Sequence, residues 1–280
     1  MVIYRNFKIG KIKYMHYINF RGTKIAFRVH GKGQPLMLLH GLCEDSTIWD
    51  DFIKGIVGEF QIIRPDLSGF GESEILPEHS VDLMAESVKA ILDELGITKC
   101  VMIGHSLGGY VTMAFAKRYP SVLTGLGLFH SHPFEDSPEK KEDRRKSIQF
   151  VKTNGHILYV KQLIPKLFAE LFATSNEFLI NSLIFKASKY DPETIIGAQE
   201  AMVNRPDNGE ILRGIGCPVL LIIGKQDKTI SYDLSMEMIP LPSISDIHIL
   251  PKVAHMGLFT AKDKTVKIVR NFMELCTTLN

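Results

Sequence analysis

Short apolar runs at 36–39, 61–64, 101–103, 123–129, 218–223 and 246–250 have the length and bounding residues of buried strands. Between them lie stretches with helical spacing. Val81, Met84, Val88, Ile91, Leu92 and Leu95 mark one helix, capped by Ser80 and stopped by Gly96. Val111, Met113, Ala114 and Phe115 mark a second, and Val266, Val269, Phe272, Met273 and Cys276 mark the last. At the N-terminal end, 15–20 and 24–30 flank Arg21-Gly22-Thr23 as a hairpin. Eight strands alternating with helices predict an α/β fold whose mostly parallel sheet is covered on both faces.

Residues 134–208 break the alternation and read as helical throughout, in pieces at 138–152, 163–172, 176–189 and 192–203; Asp191-Pro192 supplies a cap with proline at the first helical position. The division expected is a core of 15–133 and 209–280, an inserted helical cap or lid of 134–208, and an N-terminal extension of 1–14. The cap is rich in Phe150, Tyr159, Leu163, Phe168, Phe172, Phe178 and Phe185, most of which are expected to pack helices, with some facing substrate. The run from Glu139 to Lys146 holds five basic and three acidic residues and reads as a solvated helix face.

With 280 residues, 45% of them hydrophobic, the chain has the means to bury one domain plus an insertion. No apolar run approaches the roughly 18 residues of a membrane span. A formal charge of +2, from 33 basic and 31 acidic residues, gives no electrostatic argument for nucleic acid. Cys43, Cys100, Cys217 and Cys276 are far apart, without metal-ligand spacing, and read as reduced thiols of a cytoplasmic protein. Arg5, Lys8, Lys11 and Lys13 precede no apolar segment of the kind a signal peptide needs, and Met15 leaves open whether 1–14 belong to the native protein.

The chemistry centres on Gly104-His105-Ser106-Leu107-Gly108, a G-x-S-x-G pattern between a strand and a helix. Such a turn holds the serine clear of the sheet in a strained conformation, and the helix N-terminus brings partial positive charge toward it. A serine hydroxyl needs a base to take its proton, and the base needs an orienting acid. Downstream, Asp227 follows the strand at 218–223, and His255 stands in the loop before the last helix. Asp136 and Asp246 are rival acids. Asp246 begins a strand rather than ending one, and Asp136 would move the acid one strand earlier, so Asp227 is preferred.

These motifs resemble the α/β-hydrolase superfamily in its serine-nucleophile, esterase-like branch: His40-Gly41, the segment from Pro65 to Ser73, Gly104 to Gly109, Gly224-Lys225-Gln226-Asp227 and Ala254-His255-Met256. The resemblance covers nearly all of 15–280. It implies Ser106 as nucleophile, Asp227 as acid, His255 as base, and the backbone N–H groups of Leu42 and Leu107 as oxyanion donors. His40 is expected to shape the oxyanion loop, and His105 to pack or hydrogen-bond beside the nucleophile. His130-Ser131-His132 lacks a third ligand at useful spacing, so no metal and no cofactor are expected. His132, Phe168, Phe172 and Met256 are expected to contact substrate.

The function expected is cleavage of a small or medium, largely apolar carboxylic ester or thioester through an acyl-enzyme. The alternatives are a carbon–carbon bond hydrolase or cofactor-free perhydrolase with the same triad, and a hydrolase-fold small-molecule sensor with slow turnover. The partner expected is the small-molecule substrate, with no nucleic acid and no membrane, in a monomer or homodimer.

Overall fold

A computed structural model describes residues 15–279; the N-terminal extension expected at 1–14 lies outside them. Eight strands, β1 (Met15–Phe20), β2 (Thr23–His30), β3 (Gln34–Leu39), β4 (Phe60–Pro65), β5 (Cys100–His105), β6 (Leu123–Phe129), β7 (Val219–Gly224) and β8 (Ser245–Leu250), form one sheet in the order β1-β2-β4-β3-β5-β6-β7-β8. β1 with β2 and β2 with β4 are antiparallel, and the remaining pairs are parallel. The mostly parallel sheet read from the apolar runs is the observed one.

Helices α1 (Val81–Glu94) and α2 (Leu107–Arg118) cover the first half. Six more follow between β6 and β7: α3 (Pro138–Asn154), α4 (His156–Lys166), α5 (Glu170–Ser175), α6 (Glu177–Ala187), α7 (Pro192–Asn204) and α8 (Gly209–Gly214). The chain closes with α9 (Tyr232–Met238), α10 (Gly257–Thr260) and α11 (Lys262–Leu279). Because helices lie on both faces, β5 and β7 are buried at every position, and runs without polar alternation are what that burial selects.

Local chemistry sets the ends. The Ser80 side chain accepts from the Leu83 N–H at 3.0 Å to start α1, and Gly96, at φ +65°, takes the left-handed conformation that stops it. Val266, Val269, Phe272, Met273 and Cys276 are the buried face of α11. Each such side chain removed from water contributes about 1.5–3 kcal/mol.

Two expectations for the insertion change. The single helix expected over 163–172 is two, because Pro165 cannot supply the N–H that α4 would need in its last turn. The chain turns tightly, with Leu167 N–H donating to the Ile164 carbonyl and Phe168 N–H to that of Pro165. The freed Leu167 carbonyl accepts from the His255 N–H at 3.0 Å, which ties the insertion to the loop after β8. Phe178 and Phe185, expected with the packing aromatics, are 89% and 65% exposed on the outer side of α6.

Candidate active site

At the end of β5 the chain reverses direction within one residue. Ser106 has φ +50° and ψ −116°, a conformation that costs a non-glycine residue of order 1–3 kcal/mol. Neighbours hold it there: Ser106 N–H donates to the Phe129 carbonyl at 3.1 Å, and the Ser106 carbonyl accepts from Gly109 N–H at 2.9 Å and from the Ser131 hydroxyl at 2.8 Å. The glycines are there for space. A Cβ on Gly104 would lie 2.2 Å from the Gly108 carbonyl carbon, and one on Gly108 would lie 2.6 Å from the Leu39 carbonyl oxygen. Leu107 opens α2, where helix geometry leaves N–H groups without intrahelical acceptors.

Asp227 stands just past β7. One carboxylate oxygen accepts from the Thr229 and Ile230 N–H groups at 2.8 and 3.0 Å, and the other faces Nδ1 of His255 at 2.7 Å. Burial alone would raise this carboxyl's pKa, but the His255 charge and hydrogen bond, with His130 and the Ile230 N–H, bring it down to about 2. The rival acids are engaged elsewhere. Asp136 bonds Arg144 and Arg205, which hold its carboxyl below the usual range, and Asp246 lies 2.9 Å from His248 on β8.

Ser106 and His255 line one cavity of about 650 Å³, with Leu42 and Phe168 among its walls. Asp227 is buried behind His255. Three residues expected to touch substrate do not line this cavity. Phe172 lies behind Phe168, stacked on it at 5.4 Å with 6° between the rings. Met256 is turned into the apolar core, 2% exposed. His132 bonds the Tyr110 hydroxyl through Nε2 at 3.1 Å and belongs to an adjoining cavity of about 530 Å³.

The charged run expected to be a solvated face is also only half so. Lys140, Arg144 and Ser147 line the main cavity at i, i+4 and i+7 on α3, and Arg144 is fixed there by Asp136 and by Gln199 of α7 at 3.1 Å. That spacing stands in the sequence, but the surrounding charges, such as Glu142 and Arg145, mask it.

His40 accepts from the Leu67 N–H through Nε2 at 2.8 Å, and its Nδ1 lies 2.9 Å from the Gly41 carbonyl, so both nitrogens are used in shaping the loop after β3. His130 is different. Its ring is wholly buried, both nitrogens lack hydrogen-bond partners, and its Nδ1 is 3.9 Å from Asp227. Burial brings the pKa of His130 down to about 3, and likewise that of His132.

The unfolded chain takes up a proton on each of these rings as pH falls below the ordinary value near 6.5, whereas the folded chain does so only near 3. Their contribution therefore makes stability fall with acidification across that window. Replacing His130 with Asn, which tolerates the φ of +48° found here, should flatten the slope of unfolding free energy against pH between about 6 and about 4. Parallel slopes for both proteins in denaturant titrations would contradict this.

Residues 34–154 match the family model of the alpha/beta hydrolase fold. An esterase from Thermogutta terrifontis, solved with malate bound, superposes with a TM-score of 0.88 at 29% identity, over 94% of this chain and 99% of that one. The chain has the α/β-hydrolase fold. Among curated relatives of this hydrolase, a 2-hydroxy-6-oxononadienedioate/2-hydroxy-6-oxononatrienedioate hydrolase of Burkholderia vietnamiensis is 24% identical, over 92% of this chain and 94% of its own. An uncharacterized protein of Mycobacterium tuberculosis is 36% identical over 108 residues, 38% of this chain and 32% of that protein. The match thus spans about a third of the mycobacterial protein. Among the described residues, no helix is long and apolar enough to cross a membrane, and no group of three or more His, Cys, Asp or Glu is placed to hold a metal ion.

Proposed function

We propose that this hydrolase cleaves carboxylic esters or thioesters through an acyl-enzyme on Ser106. The observation that carries the reading is the strained Ser106 sharing a cavity with His255, whose Nδ1 is paired to Asp227 at 2.7 Å. Ser106 Oγ attacks the acyl carbon while His255 Nε2 takes its proton. The N–H groups of Leu107 and Leu42 receive the oxyanion, where fixed donors act at the point at which charge develops. The bond to the leaving alcohol or thiol breaks as His255 returns the proton to it. Water, deprotonated by His255, then attacks the acyl carbon, releasing the acid and restoring the serine.

Residues 134–208 act as the cap over this site, with 15–133 and 209–280 as the catalytic core. Four buried cysteines outside any disulfide suit a reducing compartment, and we assign the enzyme to the cytoplasm. A fluorophosphonate should label Ser106, as read by peptide mass, and an ester panel should give turnover; failure to label the folded wild type would overturn the reading. The similarity to the Burkholderia vietnamiensis enzyme supports a second reading, carbon–carbon cleavage by the same residues. Turnover of a vinylogous 1,5-diketone with no ester hydrolysis would favour it.

Leu163, Leu167, Phe168 and Met202 offer the cavity an apolar end, while Tyr110, Lys140, Arg144 and Gln199 make another part polar. Against the apolar end each buried methylene is worth about 0.8 kcal/mol, so activity should climb with acyl length until the space is full. Phe168→Ala should move the optimum to longer chains, and Phe172→Ala, one ring behind, should move it less. An unchanged length profile in folded Phe168→Ala would assign selectivity to other walls.

A further inference from the structure

Beside Asp227 and His255 the protein buries a second carboxylate and imidazole. Glu44, in the loop after β3, accepts the Gly41 N–H on Oε2 at 2.6 Å. The same oxygen lies 3.1 Å from Nδ1 of His105, whose side chain is fully buried at the end of β5. Nε2 of His105 lies 3.0 Å from the main-chain carbonyl of His255.

The proton count follows from the partners. A carbonyl only accepts, so Nε2 carries a hydrogen. With Glu44 ionised, its oxygen also only accepts, so Nδ1 carries one too, and the pair is then an imidazolium held against a carboxylate. Burial works against both charges, yet their mutual attraction and hydrogen bonds leave Glu44 below and His105 above its ordinary pKa.

Three loops meet on this pair: the one after β3 that carries Leu42, the turn that carries Ser106, and the one after β8 that carries His255. We propose that Glu44 and His105 are positioning residues, whose buried ion pair fixes the main chain of His255 against Gly41 and so sets the base and the oxyanion loop relative to Ser106. The inference rests on the triad reading above. It extends that reading, because Asp227 orients only the ring of His255 while the His105 contact holds its backbone.

The couple also brings a pH dependence. The other titratable groups around His105 are Asp227 after β7, whose charge favours its protonated form, and the rings of His255 and His130, at centroid distances of 5.1 and 6.3 Å. His130 stays neutral down to about 3, His40 acts on Glu44, and the Trp49 and Phe129 rings that also pack against His105 do not titrate in this range. With its pKa raised in the fold, His105 supports the arrangement fully below about 6.5 and loses it as pH rises through the raised value. The wild type should therefore show an alkaline fall in kcat.

The test compares Glu44→Ala, which removes the charge and the tie to Gly41, with Glu44→Gln, which keeps the side-chain shape and an oxygen for the Gly41 N–H but carries no charge. Glu44→Ala should lose about 10²-fold in kcat, and as much in fluorophosphonate labelling rate, with KM within about threefold, the size expected of a misplaced reacting group. Glu44→Gln should recover most of that loss but lack the alkaline fall. Nitrogen-15 imidazole spectra should show a doubly protonated histidine in the wild type near neutral pH, absent from both variants.

Wild-type labelling rate and pH profile in a folded Glu44→Ala protein, or a singly protonated His105 in the wild type, would overturn the proposal. If Glu44→Ala does not fold, an alkaline limb in Glu44→Gln identical to the wild type would overturn it. Failure of the triad reading would show separately, as no labelling of Ser106 in the wild type.

Discussion

Ser106→Ala is expected to abolish fluorophosphonate labelling and to lower turnover of an activated ester by about 10⁶-fold, while the melting temperature stays close to that of the wild type. The elbow is held through main-chain groups that alanine retains: the Ser106 N–H on Phe129, and the Ser106 carbonyl taking the Gly109 N–H and the Ser131 hydroxyl. The serine side chain makes no capping bond to α2, so its removal takes away the atom proposed to form the acyl bond and little else. Activity that persists should be the acceleration of about 10³ to 10⁴ over water that substrate binding and oxyanion donors supply on their own. Labelling retained at another residue, or turnover within tenfold of wild type, would remove Ser106 from the role of nucleophile.

The reasons the fold was legible differ from those that hid parts of the site. Strands buried on both faces leave unbroken apolar runs such as 101–103, and helices over a sheet leave one apolar stripe, as in α11; both signals are local and survive in the bare sequence. Gly104 and Gly108 were legible because the turn admits no side chain there. The cavity walls were not, because which face of an inserted helix turns inward depends on how the helices pack on one another. Phe168 and Phe172 sit four residues apart, and only the break after Lys166 puts one on the cavity and the other behind it. Arg144 was hidden by its own charge, which reads as solvated until Asp136 and Gln199 are seen to hold it inside. Glu44 is 61 residues from His105 in sequence, and no spacing rule connects a loop after β3 to the end of β5.

The choice between acids gives the second large effect. Asp227→Asn should lower kcat by about 10⁴-fold in a protein that still folds. The variant's amide oxygen has the means to accept from the Thr229 and Ile230 N–H groups, as the carboxylate does at 2.8 and 3.0 Å, which leaves the amide nitrogen facing Nδ1 of His255. A donor then meets a donor. The imidazole responds by moving its proton to Nε2, the nitrogen that in the proposed mechanism accepts the Ser106 proton, and the proposed base is lost without any loss of packing. Asp136→Asn should behave in the opposite way. Asp136 and Arg205 are both almost wholly buried, so uncovering the arginine should destabilise the protein by about 3–5 kcal/mol, while the chemical step, with Asp227 and His255 intact, should stay within about tenfold of wild type. Because Arg144 lines the cavity and is held by the same carboxylate, the effect on that variant's kinetics should fall on KM. Urea titrations and steady-state kinetics on the two proteins give four numbers. Asp227 holds as the acid only if the large kinetic loss and the large stability loss fall on different variants; a 10⁴-fold fall in kcat for Asp136→Asn, with Asp227→Asn near wild type, would move the acid to the earlier strand.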